Sequence, residues 1–186
     1  MKSNKGKNKQ NNKNLKDALK EYFFIHPTEK KRVRQLERET LLPLPSVIRY
    51  CRELEKEGFI KSEKLAGMAV YSADRASKKF LLEKKLFSIR RLFDSGIVNS
   101  FISEYDSPVI IVFGSFSKGE DVEGSDIDIY LETPIKQLKD LRFLEKKIGK
   151  TLHIHKYKSI SSMENKELAN NILNGVILNG FIEVFR

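Results

Sequence analysis

The sequence predicts an α+β protein of two modules, and three observations carry that prediction. Apolar residues recur at helical spacing three times up to Gly58, and two short alternating runs follow about a turn. Beyond residue 107, a five-residue apolar run and an alternating Asp-x-Asp run read as strands, with helical patterns after them. Charge divides the chain in the same way. Residues 1–85 hold 22 Lys and Arg against 11 Asp and Glu, and residues 86–186 hold 13 against 14, which together give the net +10. A basic first half and a near-neutral second half argue for modules with different partners.

Composition narrows the class. A chain of 186 residues, 40% hydrophobic and 32% charged, has room for one medium domain or two small ones. No apolar run approaches the roughly 18–20 residues of a membrane span. The lysine-rich start has no apolar core, so it does not read as a secretory signal. The single Cys51 excludes an internal disulfide and suggests no zinc site; it reads as a small apolar residue on a helix. A cytoplasmic location is the expectation.

Residues 1–14 hold only Lys, Asn, Ser, Gly and Gln after the methionine, a composition that predicts a disordered basic tail. Leu15, Ala18, Leu19, Tyr22 and Phe23 then give a first helix, stopped before Pro27. A second fits Lys30–Glu39 with Val33 and Leu36 inward. After the turn at Leu42–Ser46, a third runs over Ser46–Gly58 with Val47, Ile48, Cys51 and Leu54 on one stripe, and Gly58 suits its C-terminal stop. Residues 59–64 and 69–72 read as a hairpin about 65–68. Three helices and a hairpin in this order resemble a winged helix-turn-helix domain, and R-E-L-E-K-E-G-F-I-K resembles the end of its recognition helix leading into the wing. That resemblance implies DNA binding and makes Arg49, Arg52, Lys61 and Lys64 candidates for phosphate or groove contacts. Winged helices also serve as protein-interaction or dimerisation modules.

Ala73–Phe93 is strongly helical, and its apolar stripe reads as core packing. Residues 97–105 are expected to complete the helix that precedes the first buried strand. Val109–Phe113, entered from Pro108, predicts a strand buried on both faces. It breaks at Gly114-Ser115, where backbone N–H groups and the Ser115 hydroxyl suit a phosphate. Asp126-Ile127-Asp128-Ile129-Tyr130-Leu131 alternates, placing both aspartates on one face and Ile127, Ile129 and Leu131 on the other. Paired carboxylates on an otherwise apolar strand repel each other unless a divalent cation sits between them, and hard oxygens suit Mg²⁺. Ile135–Ile148, closed by Gly149, predicts a helix; Thr151–His155 a strand; Lys166–Leu173 a last helix capped by Ser161 or Ser162. Residues 176–185 are apolar and expected to be buried. Glu120, Asp121 and Glu123 are expected to be solvated.

Gly114-Ser115, then ten residues, then Asp126-Ile127-Asp128, is similar to the signature of the minimal nucleotidyltransferases of the DNA polymerase β superfamily. Lys118-Gly119 and Ser125 stand where that family has a basic residue plus glycine, and a serine before the first aspartate. The resemblance implies a small mixed sheet that binds a nucleoside triphosphate with Mg²⁺ (or Mn²⁺) and passes a nucleotidyl group to an acceptor. In it Asp126 and Asp128 hold the metal, Gly114, Ser115, Lys118, Gly119 and Ser125 bind the nucleotide, and a HEPN-type toxin is a possible partner. The fold expected is therefore a winged helix-turn-helix (15–74), a helical connector with the first helix of the second domain (75–107), and a nucleotidyltransferase core (108–186). The family usually carries a third carboxylate on the strand beside Asp-x-Asp. Here that strand reads G-K-T-L-H-I-H-K, with His153 at the matching position and His155 on the same face.

Three roles are open for His153: ligand or base in place of the carboxylate, member of a site that binds without turnover, or a solvent-facing residue with no part in the chemistry. Imidazole suits Mn²⁺ better than Mg²⁺. Two functions follow. One is an enzyme transferring AMP from ATP, with a DNA-binding module. The other is a DNA-binding transcriptional regulator, of a kind that commonly forms homodimers, whose second domain binds nucleotide without catalysis.

Overall fold

A computed structural model of the chain describes residues 4–135, 137 and 140–184, which fall into two compact units, Met1–Glu83 and Lys84–Arg186. The first unit opens with α1 (Asn4–Ile25), α2 (Val33–Thr40) and α3 (Leu44–Lys56), followed by strands β1 (Ile60–Leu65) and β2 (Met68–Ala73). Helix α1 spans Asn4–Ile25 and carries the predicted Leu19 and Phe23 face inward. Helix α3 starts two residues before the predicted Ser46, because Pro45 fits the first helical turn, where a missing N–H costs nothing. Its inward face is Val47, Tyr50, Cys51 and Leu54. Tyr50 replaces the expected Ile48, which is half-buried.

The end of α3 shows why a glycine follows it. Gly58 adopts φ +72, its N–H bonds the Glu55 carbonyl, and the Phe59 N–H reaches back to the Leu54 carbonyl. This is a Schellman closure, with Phe59 buried beyond it. The hairpin is tighter than expected. Leu65 pairs with Met68, and Ala66-Gly67 form a two-residue turn with both φ values positive, the type I′ geometry that matches strand twist. Lys31, just before α2, forms a bridge with Tyr71 on β2.

The division between units falls within α4 (Lys78–Asp94). The apolar stripe assigned to packing on this helix is only partly inward. Phe80, Lys84, Ser88 and Leu92 are the buried series, whereas Leu82 and Leu86 are 58% and 60% exposed. In the second unit, α5 (Ile97–Glu104) leads to β3 (Val109–Phe113), α6 (Gly114–Lys118), β4 (Ile127–Glu132), α7 (Arg142–Ile148), β5 (Leu152–Tyr157), α8 (Lys166–Leu173) and β6 (Val176–Asn179). The sheet order is β5-β4-β3-β6, with β4 and β5 parallel and the other pairs antiparallel, which makes the sheet mixed. One face packs Ile127, Ile129 and Leu131 against Leu92, Val98, Phe101 and Ile148. The other carries Ile111, Phe113 and Tyr130 against Ile160, Met163 and Ile172. Gly175 lies where a Cβ would stand 2.6 Å from the Val112 carbonyl oxygen, so the chain entering β6 can pass β3 only as glycine.

Three expectations for the second unit are corrected. The helix predicted over Ile135–Ile148 is confined to Arg142–Ile148, with Asp140 accepting the Arg142 N–H at its start and Ile135 outside it; Leu138 lies outside the described residues. The cap of α8 is Asn165, whose side chain accepts the Leu168 N–H, while Ser161 and Ser162 sit in a short 3-10 turn. The C-terminal apolar stretch is only partly covered: Val176, Leu178 and Ile182 pack against the two cores, whereas Ile177 on the edge strand β6 and Phe181 and Val184 beyond it are exposed, and Phe185 lies outside the described residues.

Candidate active site

The site is assembled where β3 ends and β4 begins. Residue Phe113 pairs with Asp128 across the sheet, so the turn after β3 is brought directly against the aspartate. The turn is Gly114, at φ +69. A Cβ there would lie 2.6 Å from Asp128 Oδ2, so a side chain is excluded by both conformation and space. Asp128 is half-buried on the face shared with Phe113 and Tyr130, while Ile127 and Ile129 go to the opposite core. Asp126 is exposed, one residue before β4.

Parallel pairing of β4 with β5 sets His153 opposite Asp128 and His155 opposite Tyr130. Asp128 Oδ1 is 3.2 Å from His153 Nδ1 and 3.7 Å from His155 Nε2. Among the described residues, these three ligand atoms form a group in which all lie within 4.8 Å of one another, and Asp126 is not in it. The two imidazole rings stand 4.3 Å apart, and His155 meets the Phe113 ring edge-on at 5.1 Å. Burial, and then the neighbouring His153, lower the pKa of His155 below the ordinary imidazole value, while Asp128 works in the other direction. The neutral form that can bind a metal is therefore favoured. A carboxylate with two imidazole nitrogens fits a divalent cation.

The other candidates are distributed around this centre. Ser115 is half-buried in the first turn of α6, Lys118 is exposed at its end, and Gly119 closes it at φ +76. The Ser125 hydroxyl accepts the Val122 N–H, so it also shapes the turn before Asp126. That turn is fastened from within. Asp121, expected to be solvated, is 4% exposed, and Lys84 at 1% exposed lies 2.8 Å from its Oδ1. Lys150 is 3.4 Å from Asp121 Oδ2 and donates to the carbonyls of Val122 and Ser125. Neither lysine is distinguishable in sequence from the many on the surface. His155 had a signal, its place two residues beyond His153, but its approach to Asp128 depends on the β4–β5 register.

In the first unit, Arg52, Lys61 and Lys64 are exposed. Arg49 stacks on the Tyr50 ring at 4.5 Å and approaches Glu53. A cleft of about 600 Å³ is lined by Arg32, Arg34, Arg38 and Arg52 over Ile48 and Tyr71. The α2 arginines were not singled out in sequence, because their helix offered no motif.

Residues 95–179, which lie wholly within the second unit, match the family model described as nucleotidyltransferase domain. The match spans Gly114, Asp126, Asp128 and His153, and nucleotidyl transfer is the general chemistry it supports. The first unit lies outside it. No curated protein matches the chain. No described helix is long and apolar enough to cross a membrane.

Proposed function

We propose that the second unit transfers a nucleotidyl group, AMP from ATP as the first candidate, to an acceptor hydroxyl, and that the first unit binds DNA. The observation that carries this is the abutment of Gly114 on Asp128, which sets the backbone turn after β3 beside a carboxylate that would hold a metal. Gly114 and Ser115 offer backbone N–H groups and a hydroxyl to the triphosphate, and Lys118 offers a mobile positive charge to its outer oxygens. Asp126 and Asp128 would hold a divalent cation beside that turn. That cation, Mg²⁺ or Mn²⁺, supplies charge neutralisation on the phosphate oxygens when bound. His153, 3.2 Å from Asp128, would be a further ligand for that cation from β5, in place of a carboxylate. Wild type and Asp126→Asn/Asp128→Asn, incubated with labelled ATP, CTP, GTP and UTP and either cation, test this. Transfer to protein or cell-extract acceptors that disappears in the variant is expected; nucleotide binding without transfer under every condition would overturn it.

The cleft of four arginines supports a second reading, in which DNA binding is the principal activity and the nucleotide is sensed rather than transferred. Under it, Arg52→Ala weakens DNA binding with a reduced salt slope, and no turnover accompanies any nucleotide.

A further inference from the structure

The geometry points to a second-class metal site inside the first: Asp128, His153 and His155 bind a first-row transition dication in preference to Mg²⁺. The chain gains this through two imidazoles where a carboxylate would have kept an all-oxygen set. With metal–ligand bonds of about 2.1 Å, neighbouring ligand atoms stand about 3.0 Å apart in octahedral and about 3.4 Å apart in tetrahedral coordination. The observed 3.2 Å from Asp128 Oδ1 to His153 Nδ1 falls within that range, and the 3.7 Å to His155 Nε2 lies just above it, within reach of a small side-chain adjustment.

The two oxygens of Asp128 are divided between neighbours. Oδ2 faces Gly114, where the turn after β3 leaves room only for hydrogen, and Oδ1 faces the histidines. The carboxylate can thus serve the phosphate side and the nitrogen side of the site together. His155 is pre-positioned by the Phe113 ring and by its place on β5, with its side chain only 18% exposed, whereas His153 is 62% exposed and free to adjust. Mg²⁺ demands oxygen ligands and sheds water reluctantly, while imidazole nitrogen favours Mn²⁺ through Co²⁺ to Zn²⁺. Three protein ligands leave coordination positions for water or phosphate oxygen. What the ion is used for rests on the nucleotidyl-transfer reading; its binding does not.

The test uses the full chain, stripped of metal by a chelator, with Co²⁺ as the probe. Binding is followed by the ligand-field absorption of Co²⁺ and by calorimetry, in a large excess of Mg²⁺. Wild type is expected to take up one Co²⁺ despite the Mg²⁺, and His153→Ala and His155→Gln each to weaken it by at least about tenfold. His155→Gln keeps most of the volume against Phe113, and circular dichroism checks that both variants fold. Co²⁺ affinity unchanged in both variants, or Co²⁺ displaced by Mg²⁺, overturns the inference. The two readings fail separately. Co²⁺ held through the histidines with no nucleotide bound or transferred leaves the ion site standing and removes the transferase. Co²⁺ affinity unchanged in both variants, with wild type still transferring nucleotide in Mg²⁺, does the reverse.

Discussion

Removing the Lys84 amine should cost the second unit more than any surface charge in the chain. Lys84 and Asp121 are almost wholly buried and 2.8 Å apart, and the amine also donates to the Asp121 carbonyl. In Lys84→Met the aliphatic stem is retained and the charge is lost, so Asp121 keeps only Lys150, at 3.4 Å from its other oxygen. Stranding a buried charge by deleting its partner costs about 3–5 kcal/mol, and the remaining lysine argues for the lower end, about 3 kcal/mol. For a unit of this size each kcal/mol moves the melting temperature by about 4–8 °C, so a fall of roughly 12–24 °C is expected.

Urea denaturation with a probe in the second unit measures the free energy, and the control is the double variant Lys84→Met/Asp121→Leu. An apolar pair in place of a buried ion pair is often neutral, so the double variant should recover most of the loss. Hydrogen exchange should locate the damage in residues 119–126, whose carbonyls Lys150 also holds. A loss below about 1 kcal/mol for Lys84→Met would refute the reasoning, since it would mean that water or Lys150 satisfies the carboxylate unaided.

Two further outcomes follow from single positions. Gly114→Ala places a Cβ 2.6 Å from Asp128 Oδ2 at φ +69, so about 1–2 kcal/mol of backbone strain and a displaced aspartate are expected. Nucleotide transfer and Co²⁺ uptake should both fall while the circular dichroism spectrum is kept. Cys51 is fully buried, and burial pushes its thiol up to about 12, so a disulfide reagent at pH 8 should leave it unmodified until urea is added. Because the folded value is raised above the free thiol's 9.0, this residue's contribution to stability is intact below that pH and is lost as pH climbs toward about 12. Stability of Cys51→Ala should therefore fall less steeply over that interval than that of wild type, measured by denaturation at each pH.

The elements legible in sequence were those whose signal is local. Val109–Phe113 is apolar at every position because both faces of β3 are covered, and such a run has few other readings. The alternation from Asp126 to Leu131 sorts its side chains as the pleat requires. Helix α4 shows where local signal misleads. Residues 82, 86, 89 and 93 and residues 80, 84, 88 and 92 are both helical series, and the more apolar one contains the exposed Leu82, Leu86 and Phe93. The buried series contains a lysine and a serine, and a buried lysine has no expectation in sequence unless its partner is known. That partner, Asp121, stands 37 residues away in a turn that reads as solvated. The shortened α7 has a similar origin, since Leu141 and Leu144 fit a long helix as well as a short one and Asp140 decides where it begins.

The candidate site divides along the same line. Gly114 and the two aspartates are visible because the turn and the strand are each continuous in sequence. Which atoms face one another is set by two pairings that join distant segments: Phe113 with Asp128, and Asp128 with His153. A slip of one residue in the β4–β5 register would turn His153 and His155 into the core face that now holds Leu152 and Ile154. Burial of those two apolar residues therefore fixes where the imidazoles point. The β5 side chains that carry chemistry are aimed by their neighbours that carry none, and replacing Leu152 by a polar residue should disturb the ion site as surely as replacing a ligand.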